Sequence, residues 1–316
     1  MKSRPILFFA LLILFSQSVF AGTNPSSTDT NIGIMILAHG SMGGNQTWNT
    51  LVKEVSAPLS DSYPIEVAFG MANAPNMQKA IDKLEAQGVN KIVVVQLFIS
   101  SHSPIIRQNE YLLGLRDELA DPAMPMMLHD HATGRMKVEI PENLQPLDIN
   151  SEILLTPPLD DHPLVAEIVL DRIQTLSTNP AKETVLIVAH GPNSPVDNEM
   201  WLKEIESIGK QIKAELAGRG IAYKDIIAHT VRDDADEETH EQARLEFRKY
   251  VEDADADGTA IVIPLLLSKG GVEKKYLTRL EGLNFKWSGE TLLPHYNISH
   301  FIQQSVEEAL NPVSQR

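Results

Sequence analysis

The sequence contains no cysteine among its 316 residues. This absence excludes disulfide bonds, thiolate zinc sites, iron–sulfur clusters and cysteine nucleophiles. Any metal that the protein binds must therefore be held by histidine, aspartate, glutamate or backbone oxygen.

Positive charge is also scarce, with 27 lysine and arginine residues against 42 aspartate and glutamate residues and a formal net charge of −15. A protein that binds the phosphate backbone of nucleic acids needs a basic surface. This chain is acidic, so we expect no nucleic-acid partner. The sequence has no G-x-x-x-x-G-K-[ST] motif and no G-x-G-x-x-G motif after a strand, so we expect no nucleotide cofactor. Hydrophobic residues make up 43% of the chain, which is enough for a folded core.

The N-terminal segment has the pattern of an export signal. Two basic residues precede the apolar core Ile6–Phe15, and Val19-Phe20-Ala21 supplies small residues where a signal peptidase reads them. We therefore predict a signal peptide at 1–21, a polar linker at 22–30, and a periplasmic or secreted protein. The alternative is an uncleaved anchor helix, but the apolar core is shorter than a usual membrane span. We expect no stable membrane span after cleavage.

The rest of the chain repeats one pattern. An apolar run that ends in Ala-His-Gly occurs twice, with His39 in the first copy and His190 in the second, 151 residues later. A second apolar run, Val93–Ser100, is similar in the same way to Ile261–Ser268. This internal similarity predicts a duplication.

Hydrophobic periodicity predicts alternating strands and helices in both halves. The predicted strands are Ile32–Ser41, Ile65–Phe69, Lys91–Ile99, Ile153–Pro157, Val185–Gly191, Asp225–His229, Thr259–Leu267 and Thr291–Pro294. The predicted helices lie at or around Trp48–Val55, Met77–Gln87, Pro104–Leu119, Pro163–Leu176, Trp201–Ile212, Glu238–Val251 and Ile298–Leu310, and Ser103 is the expected N-cap of the third. This order predicts an α/β fold of two duplicated lobes, each a parallel sheet flanked by helices, with a cleft between them. The lobes are expected at 31–178, with an irregular insertion at 122–150 and a small hairpin near Gly134, and at 179–316.

Four histidines fall at or just after the carboxyl end of a predicted strand, where open α/β sheets bind ligands. They are His39, His102, His190 and His229. His39 and His102 are the leading functional candidates. His190 and His229 are equally compatible with a packing role in a duplicated lobe.

Two other patterns are weak indications of a metal site. His129 and His131 lie in the insertion, but no spacing indicates a third ligand, so solvated loop histidines are favoured over a metal site. The pattern Asp253-x-Asp255-x-Asp257-Gly258 copies the first half of a calcium-binding loop. Its twelfth position is Pro264 where a glutamate is required, so we expect an ordinary loop.

The scarce cations cluster after the third strand of each half. Arg107 follows His102, and the second half has Lys269, Lys274, Lys275 and Arg279 in the matching turn and helix. Helix N-termini with nearby cations favour anions, so an anion-binding rim is one interpretation. Ordinary surface charge is the other.

Four stretches carry a resemblance to a known family: Ile36-Leu37-Ala38-His39-Gly40-Ser41, Ile65–Phe69, Gln87–Phe98 and Pro157–Leu164. In residues, order and spacing they resemble the class II chelatases, the sirohydrochlorin cobaltochelatase and ferrochelatase family. The resemblance covers about Ile32 to Leu176 well and the second half more weakly.

This resemblance implies two lobes around a tetrapyrrole cleft, with a divalent metal as a substrate and no nucleotide. His39 and His102 are implied as metal ligands and catalytic residues, and one of them is implied as a proton acceptor. The implied substrate contacts are Ser41, Arg107, His190, His229 and Lys269.

Some residues depart from the family pattern. Members commonly have a glutamate just after the second strand, whereas Phe69-Gly70-Met71-Ala72 contains no acid. His102 arrives about two residues early, and Lys269-Gly270-Gly271-Val272 lacks a histidine. These departures leave open a different metal, a different tetrapyrrole or a loss of catalysis.

The expected function is ATP-independent insertion of cobalt or iron into a tetrapyrrole such as sirohydrochlorin, in cobalamin or siroheme-type biosynthesis. Nickel and zinc also suit imidazole ligands. The alternative is a non-catalytic periplasmic carrier of metal or tetrapyrrole, which the export signal and the absent acid favour. The sequence leaves the metal, the tetrapyrrole and the oligomeric state open.

Overall fold

The structure, a computed structural model, describes residues 30–39, 46–119, 123–130, 135–139 and 143–312. The predicted signal peptide 1–21, the linker except Thr30, and the site candidate Ser41 lie outside these ranges. None of the helices within them is long and apolar enough to cross a membrane.

The first half contains a four-stranded parallel sheet in the order β2-β1-β3-β6. Its elements are β1 (Ile32–Ala38), α1 (Gln46–Ser56), β2 (Ile65–Phe69), α2 (Ala74–Glu85), β3 (Lys91–Leu97), α3 (Pro104–Leu112), β4 (Met126–Asp130), β5 (Arg135–Glu139), β6 (Glu152–Leu155) and α4 (Pro163–Leu176). The inner strands β1 and β3 are buried along almost their whole length. That burial on both faces is the reason for their continuous apolar sequences.

The second half contains a three-stranded parallel sheet in the order β8-β7-β9. Its elements are β7 (Glu183–Ala189), α5 (Pro195–Ala217), β8 (Asp225–Thr230), α6 (Glu237–Ala256), β9 (Thr259–Leu265), α7 (Val272–Arg279) and α8 (Tyr296–Leu310). This order repeats β2-β1-β3, and in both halves the central strand leads directly to a histidine. The predicted α/β duplication is confirmed.

The predicted strand Thr291–Pro294 is wrong. The chain pairs with β9 before this segment, where Lys286 exchanges hydrogen bonds with Ala260 and Val262. In the segment itself, Leu292 and Leu293 donate to the carbonyls of the two residues that follow β9, Leu266 and Leu267. Between these points Gly289 has a φ of +68°. A left-handed residue interrupts the extended backbone, so no continuous strand forms opposite β9.

Several predicted helix ends also differ from the structure. Helix α3 begins after its Ser103 cap as predicted but ends at Leu112, because Gly114 turns the chain with a φ of +71°. Helix α6 continues to Ala256, so Asp253 and Asp255 are helical and the expected loop at this pattern is wrong.

The insertion contains the expected hairpin. Strands β4 and β5 pair in antiparallel register, with Asp130 opposite Arg135. His129 belongs to β4, and His131 lies outside the described residues. The predicted hairpin near Gly134 is therefore confirmed at the level of the backbone.

The two halves exchange their last helices. Helix α4 of the first half packs against α5 and β9, whereas α8 of the second half packs against β3 and α1. At these contacts the Ser299 hydroxyl donates to the Val55 carbonyl at 2.7 Å, and Arg172 donates to the Thr291 carbonyl at 3.1 Å. Strands β1, β3, β7 and β9 all contribute to one hydrophobic core. Packing joins the halves into one compact unit, Asn31–Arg316, and the lobe boundary at 178/179 stays a prediction.

Candidate functional site

His39 lies directly after β1, between the two strands that flank it. Ala38 is in register with Phe69 of β2 and Leu97 of β3. The His39 side chain is exposed at this end of the sheet. Parallel strands bring their carboxyl ends to one edge, so residues that follow β3 share this edge with His39.

His102 lies in the turn between β3 and α3, and its backbone is fixed at two atoms. Its N–H donates to the Ser100 hydroxyl at 3.0 Å, and its carbonyl accepts a hydrogen bond from Trp201 Nε1 at 2.8 Å. The imidazole is 38% exposed, and its Nε2 lies 3.5 Å from Oε1 of Glu204. Trp201 and Glu204 both belong to α5, so the second half helps to hold this histidine.

Glu204 was not predicted from the sequence. Its side chain is only 16% exposed, and burial raises its pKa to about 7. The Ser100 hydroxyl hydrogen-bonds the carboxylate and acts in the opposite direction, while Asp160 and Asp161 add to the rise in pKa. Glu204 lies next to the apolar face of α5 that the periodicity revealed, but spacing does not indicate a contact with a residue 102 positions earlier.

Asp160 and Asp161 form an acidic turn beside this pair. Asp160 has a φ of +43° and accepts hydrogen bonds from the backbone N–H and the hydroxyl of Ser101, the latter at 2.7 Å. Asp161 accepts hydrogen bonds from Ser207 and Gln211 of α5. The turn therefore adds negative charge next to Glu204 and fixes α5 against the first half.

Arg107 forms an ion pair between the two halves of the chain. Its guanidinium makes a two-pronged ion pair with Asp197 of α5, at 3.1 and 2.8 Å. Both side chains are less than one-third exposed. Arg107 thus joins the two halves, and its predicted substrate contact stays a prediction.

The cations of the second half are also engaged. Lys269 lies 2.6 Å from Glu290, on the surface. Arg279 is buried, donates to the Val231 carbonyl at 2.9 Å and contacts Asp233 and His240. The predicted anion-binding rim is therefore not a row of free cations, because at least these two have carboxylate partners.

His190 and His229 have different environments. His190 follows β7, remains 30% exposed and places Nε2 at 3.5 Å from Asp234. His229 lies inside β8 and is buried: its Nε2 contacts the Ala243 carbonyl at 3.1 Å, and its ring stacks on Phe247. Burial lowers the pKa of His229 to about 4. The predicted substrate contact of His229 is corrected to core packing, because its ring lies under α6.

The described residues contain no group of three or more histidine, aspartate or glutamate side chains that could enclose a metal ion. The arrangement at His102 and Glu204 is instead a pair. A pair of protein ligands leaves coordination positions for other groups, as a site that passes on a metal requires and a closed structural site does not.

The chain is also similar in sequence to known proteins. The CbiX family model matches residues 33–107, which include His39 and His102. The sirohydrochlorin cobaltochelatase of Methanopyrus kandleri is 30% identical over 144 residues, which are 45% of this chain and 95% of that protein. The corresponding protein of Methanothermobacter thermautotrophicus is 26% identical over 152 residues, or 48% and 96% of the two chains.

Solved structures show the same fold over most of the chain. SirB from Bacillus subtilis with Fe³⁺ has a TM-score of 0.58 at 16% identity, over 89% of this chain and 96% of that one. CbiX, described as the terminal enzyme of siroheme biosynthesis in denitrifying bacteria, has a TM-score of 0.52 at 15% identity, over 88% of this chain and 100% of that one. The sequence matches and the shared fold lead to one conclusion: the chain is a member of the class II chelatase family.

Proposed function

We propose that the protein inserts a divalent metal, cobalt or iron, into a tetrapyrrole such as sirohydrochlorin. The observation that carries this proposal is the position of His39 and His102 after the adjacent inner strands β1 and β3, within the segment that the family model matches. The relatives named as sirohydrochlorin cobaltochelatases and the fold shared with SirB support it.

The reaction requires a metal to lose water and two pyrrole N–H groups to lose protons. His39 and His102 hold the incoming metal through neutral imidazoles, which suit Co²⁺ and Fe²⁺. Each is anchored next to regular structure, so little ordering is needed when the metal binds. As the metal passes to the tetrapyrrole, the imidazole that releases it accepts one pyrrole proton and solvent water accepts the other. No step in this scheme consumes a nucleotide.

The test is a metal-insertion assay with Co²⁺ or Fe²⁺ and sirohydrochlorin, followed by absorbance. His39→Ala is expected to lower the insertion rate by at least about 100-fold, because a direct ligand is lost. Tetrapyrrole binding should be largely retained. His300→Ala is the control, since His300 is exposed on α8. Full activity of the His39 variant would contradict the proposal.

The same assay separates an enzyme from a carrier. An enzyme forms many product molecules per protein, whereas a carrier of metal or tetrapyrrole gives no more than one. Stoichiometric binding without turnover in the parent protein would favour the carrier.

We further propose that the protein is exported and acts in the periplasm or outside the cell. The basic start, short apolar core and small residues before Gly22 support this proposal. Mass spectrometry of the native protein should find an N-terminus at Gly22. An intact residue 1 on the mature protein would contradict cleavage.

A further inference from the structure

Helix α5 presents a polar stripe to the first half, with residues three or four positions apart. Asp197 pairs with Arg107, Trp201 donates to the His102 carbonyl, and Ser207 and Gln211 donate to Asp161. Residues at this spacing lie on one side of a helix. Glu204 lies in the middle of this stripe and faces His102.

We propose that Glu204 binds the substrate metal together with His102, so that the second half supplies part of the metal site. This inference rests on the proposed metal insertion, since it assigns a further ligand to the same reaction. It also gives the second half a direct chemical role.

The distance between the two side chains fits a shared ion. Nitrogen and oxygen ligands lie about 2.0–2.2 Å from a first-row divalent metal such as zinc. Two such ligands at an angle of about 90–110° are then roughly 3.0–3.5 Å apart, by the same bond lengths. His102 Nε2 and Glu204 Oε1 are 3.5 Å apart. A metal ion can therefore enter between them with little movement of either side chain.

The surrounding charge favours a cation at this point. Glu204 is mostly buried, and Asp160 and Asp161 lie close enough to affect it electrostatically. Within the part of the chain that the structure describes, His102 is its only ion-pair partner within 4.0 Å. A partly buried carboxylate among other carboxylates is costly to leave without a counter-ion. A divalent metal supplies that charge.

The ligand chemistry suits a metal that must later be released. One imidazole and one carboxylate form a mixed nitrogen and oxygen donor set. Such a set binds Co²⁺ and Fe²⁺ less tightly than thiolates would. The positions that remain are available to water and then to pyrrole nitrogens.

The experiment compares Glu204→Gln with Glu206→Gln, a control on the exposed side of the same helix that pairs with Lys210. Co²⁺ binding to the full-length mature protein is measured by calorimetry and by the visible absorption of bound Co²⁺, without tetrapyrrole. We expect Glu204→Gln to weaken Co²⁺ binding by at least about 10-fold and to change the visible band. The control should match the parent, and Glu204→Asp should recover part of the binding.

The possible outcomes separate this inference from the proposed function. Unchanged Co²⁺ affinity and spectrum in Glu204→Gln would overturn the ligand assignment, even if His39→Ala still abolishes insertion. Glu204-dependent Co²⁺ binding in a parent protein that shows no turnover would support the ligand assignment and contradict insertion. A parent that binds no Co²⁺ would overturn both.

Discussion

The burial of His229 predicts a measurable dependence of the free energy of unfolding on pH. Its imidazole lies between β8 and α6, and burial lowers its pKa from 6.5 to about 4, although the contact with the Ala243 carbonyl acts in the opposite direction. The unfolded chain therefore takes up a proton near pH 6.5, whereas the folded protein resists protonation until about pH 4. Because the unfolded state binds more protons in this range, stability falls as the pH falls through it.

The size of the effect follows from the shift in pKa. One pKa unit corresponds to 1.36 kcal/mol, so a group with these two values lowers the free energy of unfolding by about 2 kcal/mol between pH 8 and pH 5. The loss approaches about 3 kcal/mol at pH 4. Well above pH 6.5 the group contributes almost no pH dependence.

The assay is urea unfolding of the parent and of His229→Gln at pH 8 and pH 5. Glutamine retains an N–H donor for the Ala243 carbonyl but does not titrate, so the variant should lose about 2 kcal/mol less than the parent over this range. His300→Gln removes an exposed histidine and should follow the parent. If the free energy of unfolding falls equally from pH 8 to pH 5 in the parent and in the His229 variant, the burial argument is refuted. This holds whatever effect the substitution has on stability at pH 8.

Two further predictions concern stability. Burial alone would raise the pKa of Glu183, but hydrogen bonds, chiefly from Lys286 and Ser177, lower it from 4.5 to about 2. Its stabilisation, up to about 3 kcal/mol, is present above pH 4.5 and is lost as the pH falls towards 2, so Glu183→Gln should lower the unfolding free energy far more at pH 7 than at pH 2. In Gly258→Ala the new Cβ would lie 2.1 Å from a backbone carbonyl oxygen, so we expect a loss of about 2 kcal/mol or more in urea unfolding. Gly270→Ala, whose Cβ would meet nothing within 4 Å, should be nearly neutral, and a similar loss in both glycine variants would contradict the contact.

Local sequence patterns were sufficient for most of the secondary structure. The apolar runs that end at His39 and His190 predicted the two central strands, because a strand buried on both faces needs apolar residues at every position. Ser103 predicted the start of α3, since a serine hydroxyl followed by proline suits a helix N-terminus.

Local patterns failed at the end of α3 and at His229. The predicted helix beyond Leu112 ignored Gly114, whose left-handed backbone ends the helix. His229 was placed at the rim because it lies near the end of a strand, but side chains alternate along β8. Ile227, two residues earlier, packs against the hydrophobic cluster that includes Phe247 of α6. Residues two positions apart in a strand point to the same face, so His229 also packs against Phe247.

The amino-acid sequence alone was enough to predict the repeated strand–helix order, the resemblance to the chelatases and the position of His39 and His102 after inner strands. These features depend on residues that are close together in the chain. Three other features depend on the folded structure. Glu204 faces His102, Asp197 forms an ion pair with Arg107, and each half packs its last helix against the other. Such contacts join residues 90 to 244 positions apart and depend on how the helices of one half pack against the other, which no local periodicity encodes.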